Sequence, residues 1–180
     1  PWGDKNALLG KMEIRYQYGS VSEIVTDGSF YCCTDGPVRD DDLYQGEFYD
    51  ANCEKTGFDK ADYSMEGWYP AEENQVNGVY LSLPLVGKKN EPISCVEILK
   101  PVEVTKPQEN VLVYDFGQNF AGTCRIKVKG KKGQVVTLRY GEEINKEAMI
   151  NKDDVPGPVW TEILLTAEAT DYYVVKGDAQ

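Results

Sequence analysis

The sequence predicts an all-β protein built of antiparallel β-sandwich segments, two of them, with little helix. Apolar residues recur with period two in short runs, and Gly, Pro, Asn and Asp clusters punctuate those runs at intervals of about ten residues. No window shows the i, i+3, i+4 recurrence over three turns that a long amphipathic helix requires. At 180 residues, 41% of them hydrophobic, the chain is long enough for one large or two small β domains with a buried core.

The first expected element is a hairpin from Lys11 to Thr26. Met12, Ile14 and Tyr16 alternate with charged residues, Tyr18-Gly19-Ser20 turns the chain, and Val21 to Thr26 returns, so one face is expected to be buried. Asp27-Gly28-Ser29 and Asp35-Gly36-Pro37 are turn signals around the aromatic pair Phe30 and Tyr31. From Arg39 to Asn52 lies the densest acidic cluster, Asp40, Asp41, Asp42, Glu47 and Asp50, interleaved with Tyr44, Phe48 and Tyr49. Two readings stand there: a solvated loop with an edge strand, or a hard-cation site next to sugar-stacking tyrosines. No EF-hand spacing is present.

Thr56 to Asn77 is loop-rich, with Trp68 as its large apolar anchor, and alternation returns at Val79, Leu81 and Leu83. Pro84 to Pro92 reads as the connection between domains 1–94 and 95–180. The second β block is expected over Val96 to Val104, Val111 to Asp115, Thr123 to Val128 and Gln134 to Tyr140, with Gly130-Lys131-Lys132-Gly133 as a hairpin turn. Glu142 to Ala148 is expected as a short helical turn and Asp153 to Val159 as a punctuated connection. Trp160 to Ala167 and Asp171 to Val175 complete the strands.

Between two of these strands lies Asp115-Phe116-Gly117-Gln118-Asn119-Phe120-Ala121-Gly122. Asp-Phe-Gly is a magnesium-holding segment in protein kinases, but a kinase also needs a Gly-rich loop, a strand lysine and a His-Arg-Asp loop. A chain with no histidine and almost no expected helix excludes it. The octapeptide reads as a sandwich corner, its glycines permitting unusual backbone angles and its Asp, Gln and Asn capping loop amides.

Absence of histidine also removes Ser-His-Asp and Cys-His nucleophilic arrangements and most zinc or iron sites. The five cysteines, Cys32, Cys33, Cys53, Cys95 and Cys124, contain no Cys-x-x-Cys pair and are expected as free thiols, with Cys124 in the core. A formal charge of −11 argues against nucleic acid and anionic membranes as partners. No apolar run approaches the roughly 18 residues of a transmembrane helix, and Pro1-Trp2-Gly3-Asp4 is no signal peptide. Many carboxylates are present, but no apolar surrounding marks one as a raised-pKa general acid, so the chain itself is expected to be catalytically inactive.

Several strings, taken in order, resemble the non-catalytic β domains of bacterial α-L-rhamnosidases. They are Thr26-Asp27-Gly28-Ser29-Phe30, Gly36-Pro37-Val38, Asp42 to Ala51, Gly57-Phe58-Asp59, Asp115 to Gly122 and the ending Ala169 to Gly177. The resemblance implies that 1–94 is part of a jelly-roll, rhamnose-binding module and 95–180 a second β-sandwich. It also implies that the opening strands of the first module and the catalytic (α/α) domain of the same parent chain are missing, the parent being an inverting glycoside hydrolase, periplasmic or secreted. The function implied is L-rhamnose binding and support of that missing domain; the alternative is a structural scaffold without sugar binding. By the same resemblance, the sugar-binding candidates are Phe30, Glu47, Tyr49, Asp50 and Asn52, with Asp50 and Asn52 as ligands to calcium. Two departures bear on these positions: Phe30 stands where the family usually has Trp, and Asn52 where it often has Arg.

Overall fold

The structure is a computed structural model and describes residues 7–73, 86–144 and 159–177. Its elements are almost entirely strands, and they gather into two compact units: Pro1–Asp35 with Gly57–Pro92, and Gly36–Thr56 with Ile93–Gln180.

In the first unit, β1 (Lys11–Arg15) and β2 (Val21–Val25) form the expected antiparallel hairpin, Lys11 opposite Val25 and Arg15 opposite Val21. Gly19, at φ 83°, donates its N–H to the Tyr16 carbonyl at 2.9 Å and closes the turn. The expected buried face does not form: along both strands only Ile14 is half-buried. A two-stranded ribbon has no second layer of its own against which to bury an apolar face. The short strands β3 (Tyr31–Cys32) and β6 (Tyr69–Pro70) pair antiparallel, and Trp68 packs edge-on against Tyr63 with ring centroids 5.9 Å apart. The alternation at Val79, Leu81 and Leu83 lies outside the described residues.

The second unit is organised by a four-stranded sheet in the order β4 (Val38–Asp42), β5 (Gly46–Asp50), β12 (Thr170–Val174), β9 (Val135–Arg139). Neighbours run antiparallel except β5 and β12, which pair in parallel. As an inner strand β12 has a paired neighbour on each side, and buried residues lie along it, Thr170, Val174 and Val175, with Ala51 just beyond β5; Thr161 is also buried. At the start of β5, Gly46 takes φ 111°, and a Cβ there would collide with the Thr170 carbonyl. Glycine is therefore the residue that lets the β4–β5 corner approach β12.

A separate hairpin joins β7 (Glu103–Gln108) to β8 (Val111–Asp115) through Asn110, at φ 65°. Its register shifts between Thr105 and Gln108, around Pro107, which has no N–H to give a ladder. Asp115 Oδ1 then accepts the Gly117 N–H at 2.6 Å, and Gly117 sits at φ 72°. Gly122 serves space rather than an unusual angle: a Cβ there would press on the Phe120 ring, which packs edge-on against Phe116 at 5.4 Å. Asp115 thus caps a loop amide as expected, but no strand directly follows Gly122, so the octapeptide leaves β8 without connecting two strands.

Elsewhere the strand expectations are corrected. Residues 95–102 are not in a strand, and the block begins at Glu103. Residues 123–128 belong to no ladder, so the glycine-flanked turn at 130–133 joins no hairpin; its Gly133 N–H is instead donated to the Val175 carbonyl at 2.8 Å. Alternation marks an extended chain but does not supply a partner. The expected helical turn at 142–148 is a strand where it is described, β10 (Glu143–Ile144), paired with β11 (Val159–Trp160); residues 145–148 lie outside the described residues. After Trp160 the chain forms a 3-10 turn at Glu162–Leu164 rather than continuing as a strand, and Leu165 and Ala169 take positive φ of 56° and 43°. The run Ile163-Leu164-Leu165 breaks the period-two pattern that a half-buried strand needs. All five cysteines are free thiols, and Cys124 is exposed rather than in the core. No helix among the described residues is long and apolar enough to cross a membrane.

Candidate functional site

Parallel pairing in register places Phe48 beside Tyr172 and Tyr49 beside Tyr173. Since side chains alternate along a strand, the two rows face opposite sides of the sheet. On one side Phe48 and Tyr172 meet edge-on, centroids 6.3 Å apart, in an open hollow of about 420 Å³ that Asp40, Gln45 and Glu168 also line. On the other, Tyr49 and Tyr173 stack at 5.7 Å with 10° between their planes.

The Tyr49 hydroxyl donates to Glu54 Oε1 at 3.1 Å, and the Lys176 ammonium binds Glu54 Oε2 at 2.6 Å. Both members of that ion pair are partly buried, which strengthens it relative to an exposed pair. Burial first, and then the bond to Glu54 and its charge, push the Tyr49 phenol up to about 12. Glu47 lies on the same side of β5 as Tyr49. Its N–H is donated to Asp171 Oδ1 at 2.9 Å, while burial, followed by the charges of Asp41 and Asp171, raises its carboxyl above the ordinary range. Asp171 also accepts the Tyr140 hydroxyl on Oδ2 at 2.6 Å.

Asp50 ends β5 and caps the 3-10 turn Ala51–Cys53. Its Oδ1 accepts both the side-chain amide of Asn52 at 2.7 Å and the Asn52 backbone N–H at 2.9 Å. Those two bonds, the side-chain one first, hold the carboxyl below the ordinary range. The Asn52 amide also donates to the Val175 carbonyl at 3.5 Å.

Of the five sugar-site candidates, the second unit contains Glu47, Tyr49, Asp50 and Asn52 on one strand and its cap. Phe30 belongs to the first unit, where its N–H is donated to Asp27 O at 3.1 Å and its carbonyl accepts the Ala71 N–H at 2.7 Å. Glu54, Tyr173 and Lys176 were not singled out from the sequence. Glu54 follows two residues after Asn52 and could have been included by proximity; the other two reach the site only through a remote parallel strand. Among the described residues no group of three His, Cys, Asp or Glu is arranged to hold a metal ion. The arrangement offers an aromatic face, a phenolic oxygen, a carboxylate and an amide at one end of one sheet, the set of groups that ring hydroxyls and C–H faces engage.

Two family models match. Residues 1–97 fit the alpha-L-rhamnosidase N-terminal domain and residues 105–180 the bacterial alpha-L-rhamnosidase concanavalin-like domain. An alpha-L-rhamnosidase of Streptomyces avermitilis is 32% identical over 181 residues, covering 99% of this chain and 16% of its own length. One from an Alteromonas species is 29% identical, over 95% of this chain and 17% of its own length. Among solved structures, the Streptomyces avermitilis alpha-L-rhamnosidase complexed with L-rhamnose superposes with TM-score 0.77 at 30% identity, over 94% of this chain and 15% of that one. The native Aspergillus terreus enzyme gives 0.77 at 29% identity, over 94% and 18%. The chain therefore spans less than a fifth of the length of these relatives.

Proposed function

The chain belongs to the bacterial α-L-rhamnosidase family, and from that premise we propose that it is a non-catalytic β region of a longer α-L-rhamnosidase-like glycoside hydrolase. The 1–94 module binds rhamnose-containing carbohydrate, 95–180 is a second β-sandwich, and the region supports the catalytic domain of the same parent chain. The observation that carries the reading is two bonded pairs side by side at the end of β5, Tyr49 with Glu54 and Asp50 with Asn52. Tyr49 presents ring surface and a phenolic oxygen; Asp50 and Asn52 present a carboxylate and an amide oxygen suited to vicinal ring hydroxyls.

Calcium enters the proposal as the ion that would draw sugar hydroxyls to those oxygens. Asp50 and Asn52 would hold it, but they offer one carboxylate and one amide, and Asp50 Oδ1 already accepts two bonds. Calcium takes six to eight oxygens, so the pair fits only as part of a shell completed by backbone carbonyls, water or the sugar.

A scaffold without sugar binding is the second reading, favoured by the Tyr173 ring covering Tyr49 and by the engagement of Asp50 in its own cap. Calorimetric titration with L-rhamnose, in calcium and in chelator, separates the two. Heat of binding at millimolar sugar is expected; its absence in calcium would leave the scaffold reading.

A further inference from the structure

We propose that Tyr173 and Lys176 are positioning residues for the Tyr49, Asp50 and Asn52 sugar site, so that segments matching two different family models build it together. The inference rests on the sugar-binding reading above. Tyr49, Asn52 and Glu54 lie within the first matched segment, 1–97, and Tyr173, Val175 and Lys176 within the second, 105–180. On the backbone Tyr49 pairs with Val38 of β4 in the first segment, while the side chains of Tyr49, Asn52 and Glu54 reach Tyr173, Val175 and Lys176 of the second.

The geometry explains how. Tyr173 covers one face of the Tyr49 ring, leaving the other face as the one a sugar can meet. Tyr49 gives its only hydroxyl proton to Glu54, so its oxygen meets a ligand as an acceptor, and a sugar hydroxyl must donate to it. The polarity holds only while the Glu54 carboxylate stays oriented, and Lys176 holds it in place: the ammonium occupies Oε2 at 2.6 Å while Tyr49 occupies Oε1. A carboxylate gripped at both oxygens has no free rotation, and a charge-assisted bond is the stronger kind. Val175 adds its carbonyl as a second acceptor for the Asn52 amide, whose first is Asp50. The β5–β12 ladder, Tyr173 opposite Tyr49 and Val174 opposite Asp50, sets all of these distances.

The test compares the full chain with Lys176→Met and Lys176→Arg, measuring L-rhamnose affinity in calcium and the Tyr49 side-chain 13Cζ resonance at neutral pH. Lys176→Met is expected to weaken rhamnose binding roughly tenfold and to move the Tyr49 resonance, the scale of one charge-assisted hydrogen bond. Lys176→Arg keeps the cation and the donor, so it is expected to restore both within about twofold. A Lys176→Met chain that binds rhamnose as tightly as the unaltered one, or whose Tyr49 resonance does not move, overturns the positioning role. An unaltered chain that binds no rhamnose overturns the sugar reading by itself, and the Tyr49 resonance then still decides whether Lys176 orients that ring.

Discussion

Tyr49 and Tyr173 stack nearly parallel, centroids 5.7 Å apart, although one lies in the first third of the chain and the other near its end. The contact joins the two halves of the parallel β5–β12 ladder on the side that carries the candidate site. An aromatic pair of this kind is worth about 0.5–1.5 kcal/mol beyond its area burial. Tyr173→Ala is therefore expected to lower stability by about 2–3 kcal/mol, counting the lost ring, and Tyr173→Phe by under about 1 kcal/mol. Urea denaturation followed by circular dichroism measures both; equal losses would show that the ring contact contributes little.

The β4–β5 corner gives a sharper steric case. Gly46→Ala places a methyl against the Thr170 carbonyl and also forces φ 111° on an L residue. Together these are expected to cost at least about 3 kcal/mol, because backbone on both sides must move. Gly19→Ala is the control, since its φ is 83° but no atom lies within 4 Å of the added carbon. It should cost only about 1 kcal/mol, the strain of the angle alone. Parallel denaturation curves of the two variants check the difference.

How much of this was legible in the sequence follows from the range of each interaction. The β1–β2 hairpin and the strands β8, β9 and β12 carry local alternation and turn chemistry, and they formed close to where the residues place them. Asp50 and Asn52 were reached through the family resemblance rather than from local chemistry, and the cap they share is a finding of the structure. The parallel pairing of 46–50 with 170–174 was not legible, because nothing in either segment names its partner. With that pairing hidden, Tyr173 and Lys176 could not be attached to the site, and Phe30 was grouped with residues that belong to a different unit. Residues 123–128 mislead in the opposite direction: they alternate like a strand but find no ladder.

Alkaline pH should weaken the second unit through Tyr49. Its phenol is pushed from an ordinary 10.0 up to about 12, chiefly by burial and then by Glu54. A folded value above the unfolded one means that the fold favours the protonated form. The associated stability is complete below about pH 10 and is lost as pH rises through about 12. Tyr140, raised by burial and by its bond to Asp171, acts in the same direction. Solvent reaches Tyr49, so the slope is expected to be shallower than full linkage would give. Urea midpoints between pH 9 and pH 11.5 should fall less steeply for Tyr49→Phe than for the unaltered chain; identical slopes would assign the loss to other groups.

Asp171 ties three strands through one carboxylate, taking the Glu47 N–H of β5 on Oδ1 and the Tyr140 hydroxyl beside β9 on Oδ2 while itself lying in β12. Two donors that share an acceptor are not independent, so their losses should not add. Tyr140→Phe removes one bond and is expected to cost about 1–1.5 kcal/mol. Asp171→Ala removes both and leaves the Glu47 amide and the Tyr140 hydroxyl without that acceptor, for about 3 kcal/mol. Once Asp171 is gone, Tyr140→Phe no longer breaks the bond to it and loses only the weaker contact to the Cys124 thiol, so the double variant should be only slightly less stable than Asp171→Ala, a coupling of about 1 kcal/mol in the cycle. Hydrogen exchange at the Glu47 amide provides the local reading: it should accelerate in Asp171→Ala and change little in Tyr140→Phe. Additive losses, with Glu47 exchanging at the same rate in both single variants, would mean that the carboxylate does not link the strands.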